Sequence, residues 1–401
     1  MSQLFPFRAL RPAPATAPRV ASVPYDVVNT DEARALVQKE PLSFLRVTRS
    51  EVDLPSDTSP YDDRVYAKAV SNFDALKSAA PLVTDAEPSL YFYRLTMGGH
   101  VQVGLAGCFS VDEYDRGLIK KHEKTRKDKE DDRTRHIVDL RAQTGVVFLT
   151  YRASTSVNEI AKRVLGSEPL YRFVAEDQIS HELWRVVGAE VDALVRAFAE
   201  LPALYIADGH HRAASASRAK AALGGAGESQ TFIAVAFPDS EMQILPYNRV
   251  VKDLAGQTPE EFMAALKSRV SVSPGSPVPS KAGDVSMFFG GRWHTLVLPT
   301  PQPGTPRDEA LDVAVLQSAV LGPVLKVGDP RSDKRIDFVG GARGTAELEK
   351  LVTSGKVAVA FSLVPTTIDD LMAIADAGGI MPPKSTWFEP KLRDGLLVHV
   401  I

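Results

Sequence analysis

A single cysteine, Cys108, in 401 residues leaves no intrachain disulfide framework and no cysteine-rich zinc site. Positive charge is not in excess either. The net charge of −3 argues against a dedicated nucleic-acid binder, so nucleic acid is an unexpected partner. No apolar run approaches the ~20 residues of a membrane helix. The N-terminus lacks a charged region followed by an apolar segment, so no signal peptide is expected and the cytoplasm is the default location. Repeats and heptads are missing as well. What is present is ordinary for a soluble globular protein: 44% hydrophobic and 24% charged residues, with enough length for two or three domains.

One stretch stands out, Leu204-Tyr205-Ile206-Ala207-Asp208-Gly209-His210-His211-Arg212. Leu204 to Ala207 is a short apolar run that reads as a buried strand. Gly209 marks a sharp turn. Arg212 to Leu223 is alanine-rich with almost no β-branched residues and predicts a helix, which Gly224 and Gly225 end. Strand, glycine turn and helix N-terminus together form an anion site. Two histidines and an arginine sit where the helix dipole disfavours cations by ~0.3–1 kcal/mol each, and a bound phosphate would reverse that penalty. The plainer alternative has Asp208 capping the helix and the basic residues solvated.

Elsewhere the chain alternates strands and helices. Val20 to Val28 reads as a strand entering a turn, with Asp26 near its exit and Asn29 or Thr30 capping a helix from Asp31 to Lys39. Phe44 to Thr48 is a short strand candidate. Asp62 to Ala79 has helical spacing, with Val65, Ala69, Phe73 and Leu76 on one face. The runs 90–95 and 101–106 flank Gly98-Gly99 as a hairpin. In the strand that continues from the second run, Cys108 is expected to be a small core residue. Gly145 to Arg152 and Gln230 to Phe237 are further strands. Val157 to Leu165 and His181 to Ala199 are helix candidates.

Lys120 to His136 is the most charged segment. It suits a solvated helix laced with i,i+4 pairs, or a phosphate or magnesium role for its cationic and hard-oxygen groups. His122 and Glu123 do not have the spacing of a zinc-protease helix. Beyond residue 255 the chain is looser. A Ser/Pro/Gly-rich loop spans 273–283, a second hairpin surrounds Gly290-Gly291, and four prolines lie in 299–306. Helices are expected at 311–320, 345–354 and 368–377, and a strand at 357–363. Met381-Pro382-Pro383-Lys384-Ser385-Thr386 then forms a stiff turn whose Lys384, Ser385 and Thr386 suit phosphate oxygens. Trp387 and Phe388 either pack that turn down or stack on a base.

Asp208-Gly209-His210-His211-Arg212 resembles the signature of the ParB/sulfiredoxin-like superfamily. More closely it resembles that superfamily's free serine kinase branch and a bacterial family catalogued as a domain of unknown function (DUF ten-fifteen). Further marks of the latter are Pro24-Tyr25-Asp26-Val27-Val28, His122-Glu123-Lys124-Thr125 with Lys129 to Arg133, and the Met381 to Thr386 turn. The resemblance implies an α+β fold: a ParB/sulfiredoxin-like core over 1–255, and a C-terminal α+β region over 256–401 that contributes the second phosphate-binding turn.

It also implies a nucleotide-dependent small-molecule kinase using ATP or ADP with Mg2+, with free L-serine as a candidate acceptor. The alternative is a ParB-like nucleotide-binding or hydrolysing regulatory protein. Sulfiredoxin chemistry would need a cysteine in the motif, and none is there. In the kinase reading Asp26 takes the acceptor proton, while His210, His211 and Arg212 meet the transferring phosphoryl charge beside Asp208. Gly209, His122, Glu123, Lys124, Thr125, Lys384, Ser385 and Thr386 bind nucleotide or phosphate, and Asp208 and Glu123 hold the metal.

Overall fold

In the computed structural model, which describes residues 2–401, the chain is a mixed α+β protein. It forms two units, Met1–Met242 with Pro390–Ile401, and Gln243–Glu389. The expected division at 255/256 is thus replaced by two crossings. The last twelve residues return because their apolar side chains complete the first unit: Val398 packs with Phe44, Phe73 and Leu140, and His399–Val400 pairs with Ala142–Gln143. No described helix is long and apolar enough to cross a membrane.

The first unit is built on a nine-stranded mixed sheet. Across it run Ile119–Lys120, Leu204–Asp208, Val147–Tyr151, Thr231–Pro238, His100–Ser110, Leu90–Met97, Ser180–Val186 and Tyr171–Val174, with Leu4–Phe5 paired to the end of His100–Ser110. The main cluster joins Phe109, Trp184, Phe198 and Phe232 of the strands and helices to Val157, Leu194 and Ala213. Cys108 lies buried in its strand, where desolvation pushes its thiol pKa up and keeps it unreactive, as expected of a core residue. The helix Asp63–Ala79 is capped by Asp62 and buries Val65, Ala69, Phe73 and Leu76, the stripe read from spacing. Asn29 and Glu32 form a capping box on Thr30–Lys39.

Three expected elements take other forms. Val20–Val28 is not a strand: Ala17–Val20 is a helical turn, and only Ser22 makes a bridge, to Asp394. Leu45–Thr48 is a helical turn rather than a strand; Phe44 and Val47 bury themselves against Phe73 that way, and so short an apolar run carries no period to tell the two apart. The helix expected over 181–199 splits into the strand Ser180–Val186 and the helix Ala189–Ala199. Gly188, at φ 64°, marks the break. Pairing with Leu90–Met97 on one side and Tyr171–Val174 on the other overrides the helical stripe.

The second unit holds a six-stranded antiparallel sheet in the order Ser271–Pro274, Arg292–Val297, Asp284–Phe289, Val359–Ser362, Tyr247–Val251 and Ile336–Gly340. Part of the expected 273–283 loop is therefore edge strand. The helix expected over 311–320 becomes Asp312–Leu316 followed by a wider π-type turn over Gln317–Leu321.

Candidate functional site

Sheet topology delivers the two motifs to one edge. Ile119–Lys120 runs parallel to Leu204–Tyr205, so both chains leave the sheet at the same end. One emerges as His122 to Arg126, the other as Asp208 to Arg212. Gly209 makes the turn at φ 93°, and an added Cβ would stand 2.9 Å from Arg212 Nε, so backbone and space both require glycine. The helix begins at His210, two residues before the expected start, and its first turn holds no acid. Gly209 occupies the N-cap position without a side chain, and the first intrahelical bond is Ala213 N–H to Gly209 O at 3.0 Å. Asp208 is therefore not the cap. It ends the strand, where a register shift between Ile206 and Asp208 turns its side chain out of the ladder.

The Asp208 carboxylate accepts from Lys391 Nζ at 2.9 Å and lies 3.5 Å from Arg212. Burial opposes its ionisation, but Lys391 and Arg212 outweigh that and hold its pKa far below the usual carboxylate range. Arg212 is buried. Its guanidinium donates to the Val146 carbonyl and lies 4.0 Å from Asp26, leaving Nε without a hydrogen-bond partner among the described residues. Arg212 thus ties the turn to the neighbouring strand and to Asp26, which stays exposed. On the same cluster sits Asp394, 1% exposed, with neither carboxylate oxygen in a hydrogen bond among the described residues. Burial pushes its pKa up to about 7; Arg212 opposes the rise and Asp26 adds to it.

His122 and His210 meet edge to face, ring centroids 4.4 Å apart. The His122 main-chain N–H faces His210 Nε2 at 3.4 Å, and His210 Nδ1 is 3.9 Å from Glu123. Burial brings the His122 pKa down to about 4; the nearby Ile206 carbonyl opposes this without making a well-formed hydrogen bond. His210 is pushed well below its usual value by burial and by His122. The dipole penalty expected from His210 therefore falls away, because a buried imidazole sheds its proton, and that of Arg212 is offset by carboxylates.

His211 is half-buried and accepts from the Arg126 main-chain N–H at 2.9 Å. Lys124 is exposed, while the Thr125 hydroxyl is committed to Glu130. The charged segment is not one solvated helix. His122 to Arg126 is irregular, and the helix Lys127–Leu140 buries Asp132 and His136. Asp132 takes hydrogen bonds from Tyr66 and Arg133, and His136 contacts the Val47 carbonyl at 3.0 Å. Among the described residues, the one group with metal-ligating spacing is His122, Glu123 and His210; Asp208 is not part of it.

Lys384, Ser385 and Thr386 belong to the second unit. Lys384 adopts φ 56° with Nζ 5.5 Å from the Tyr247 ring. Ser385 is buried and donates to Pro382 O at 2.7 Å, so its hydroxyl hydrogen closes the turn. Arg249, also buried, reaches Pro383 O at 3.3 Å; burial lowers its pKa to about 10. Trp387 packs on Tyr247 and against Gly340, and Phe388 is buried, so both rings hold the turn down.

Sequence reasoning brought Asp26, His122, Glu123 and the Asp208 turn into view, and the first unit gathers them. It missed Lys391 and Asp394. Their only signal was three charges, Lys391, Arg393 and Asp394, set into an otherwise apolar C-terminal run.

A family model described as "Protein of unknown function (DUF1015)" matches residues 4–317. No curated protein matches the chain. Among solved structures, "Free serine kinase in complex with AMP" is 12% identical with a TM-score of 0.38, over 73% of this chain and 91% of that one. "SbnI with C-terminal truncation from Staphylococcus aureus" is 14% identical with a TM-score of 0.41, over 74% and 87%. "Conserved hypothetical protein from Pyrococcus furiosus" is 14% identical with a TM-score of 0.37, over 74% and 95%.

Proposed function

We propose, for a chain that belongs to the DUF1015 family, a nucleotide-dependent phosphotransferase with a ParB/sulfiredoxin-like core, acting on a small molecule. The observation that carries this reading is the gathering of ionisable groups around one helix N-terminus. Asp26, His122, Glu123, Asp208, His210, Arg212, Lys391 and Asp394 come from four separate stretches of chain. Four of the eight, His122, His210, Arg212 and Asp394, are buried, and several have pKa values far from their usual ones. Such an arrangement is expensive to fold around and is characteristic of sites that do chemistry.

The first N–H groups of a helix have no intrahelical acceptor and suit phosphate oxygens. His211 and Lys124 supply further donors at the rim. Arg212 then serves as a brace that fixes Asp208 and Asp26 rather than as the main phosphate ligand. Asp26, exposed and 4.0 Å from Arg212, is the candidate base toward an acceptor hydroxyl, with free L-serine one acceptor to try.

Mg2+ prefers several oxygens and retains water. Asp208 already faces two cations, so Mg2+ would be held by the nucleotide's own oxygens and water. The ion supplies charge neutralisation on the phosphates when bound.

The test is a thermal-shift series with ATP, ADP, AMP and CTP, with and without Mg2+, followed by phosphate transfer to free amino acids. A nucleotide at 100 times its Kd should stabilise the native state by ~2.7 kcal/mol. Stabilisation with transfer supports the reading. Stabilisation with hydrolysis alone moves it to a nucleotide-operated regulator. No stabilisation by any nucleotide overturns it.

A further inference from the structure

We infer that His122, His210 and Glu123 bind a divalent transition-metal ion through two imidazole nitrogens and one carboxylate oxygen. This does not depend on the phosphotransferase reading.

Two observations lead there. First, one ligand atom from each residue lies within 4.8 Å of the other two. Second, His122 is 2% exposed and neither ring nitrogen has a hydrogen-bond partner among the described residues. A buried polar group in that state is costly, and a metal satisfies it.

The donor set decides the class of ion. Two imidazoles and a carboxylate suit zinc or the iron and cobalt group, whereas Mg2+ and Ca2+ select oxygens. Ligand atoms at ~2.1 Å from one ion stand roughly 3.4 Å apart, so the cluster closes a little on loading. Glu123, with its side chain 35% exposed, is the most exposed member of the three. It also lies at the solvent side, leaving positions for water or substrate. The Ile206 carbonyl is placed to receive the second His122 ring nitrogen, the usual outer partner of a coordinating histidine. In the neutral His210 ring, Nε2 faces the His122 amide and Nδ1 carries the hydrogen. Coordination through Nδ1 moves that hydrogen to Nε2 and ends the 3.4 Å contact.

The experiment is a Co2+ titration of chelator-treated full-length protein, read by visible d–d absorption, with Zn2+ competition and excess Mg2+ present. The expected result is one equivalent of Co2+ giving the band, displaced by Zn2+ and not by Mg2+. Glu123→Gln, at a half-exposed position where the fold survives, should weaken binding by at least ~10-fold. His210→Gln, checked by circular dichroism, should abolish the band. In labelled protein, Zn2+ should shift the His122 amide signal. No band, a band displaced equally well by Mg2+, or a band unchanged in Glu123→Gln overturns the inference.

Discussion

Replacing Asp208 by Asn removes one charge and almost no volume, and the structure sets its cost. Were Asp208 the helix cap, Asn would cap about as well and the change would be nearly neutral. Instead its carboxylate lies 2.9 Å from Lys391 and 3.5 Å from Arg212, whose side chains are 12% and 6% exposed. Removing one partner of a buried ion pair costs ~3–5 kcal/mol. Here Asp208 itself is 29% exposed and Asp26 still faces Arg212, so about 2–3 kcal/mol is expected.

The pH dependence has a definite sign. The folded pKa of Asp208 is depressed, so its contribution is present above the unfolded pKa near ~4 and fades as pH falls below it. Hydrogen exchange of peptides spanning 204–216, compared between wild type and Asp208→Asn, reads this locally. The gap should be steady from pH 8 to 5 and narrow below 4. A gap under ~0.5 kcal/mol at pH 7, the size of an ordinary surface change, or one that persists unchanged at pH 3.5, would refute the ion-pair account.

The other carboxylates and the turn give distinct expectations. Asp394→Asn should stabilise the protein: its folded pKa is raised to about 7, so the wild-type carboxyl costs stability progressively from pH ~4 to 7 and fully above that, on the order of 4 kcal/mol; a variant no more stable than wild type at pH 8 by urea denaturation would count against its burial as an unpaired acid. Gly209→Ala should lower stability by ~1–3 kcal/mol through its positive φ and displace Arg212, so an unchanged melting temperature would contradict the turn. Asp26→Asn should leave the melting temperature within about a degree but reduce phosphate transfer by ~10²–10⁴ in turnover; intact turnover would remove Asp26 from the base role.

Much of the site was legible because its residues are unusual in place. Four polar residues around a glycine after an apolar strand have no packing reason to be there, and Gly209 carries its conformational requirement on its face. Helix Asp63–Ala79 was legible for a similar reason, a full apolar stripe. What escaped detection depended on partners distant in sequence. His181 to Val186 looks helical until two strands pair with it on either side. Lys391 and Asp394 are ordinary charges until the C-terminus folds back beside Ser22. The dipole argument failed in a related way, since nothing local says that His210 will be buried against His122 and so lose its proton.

The two carboxylates beside Arg212 show what this folding-back accomplishes. Asp208 and Asp394 flank the same guanidinium, yet burial and neighbours drive them apart: Lys391 joins Arg212 to keep Asp208 charged, while Asp394 receives no hydrogen bond from the described residues and is pushed toward neutrality beside Asp26. Two cations, Arg212 and Lys391, against one committed anion, Asp208, leave one positive charge for exposed Asp26 to balance. Pairs of acids with environments that separate their protonation are how a site assigns one group to hold charge and another to hold a proton at the same pH. On that logic Asp26, rather than either buried acid, is left free to act on a substrate, and Arg212 is buried because it has three acids to organise rather than a ligand to reach.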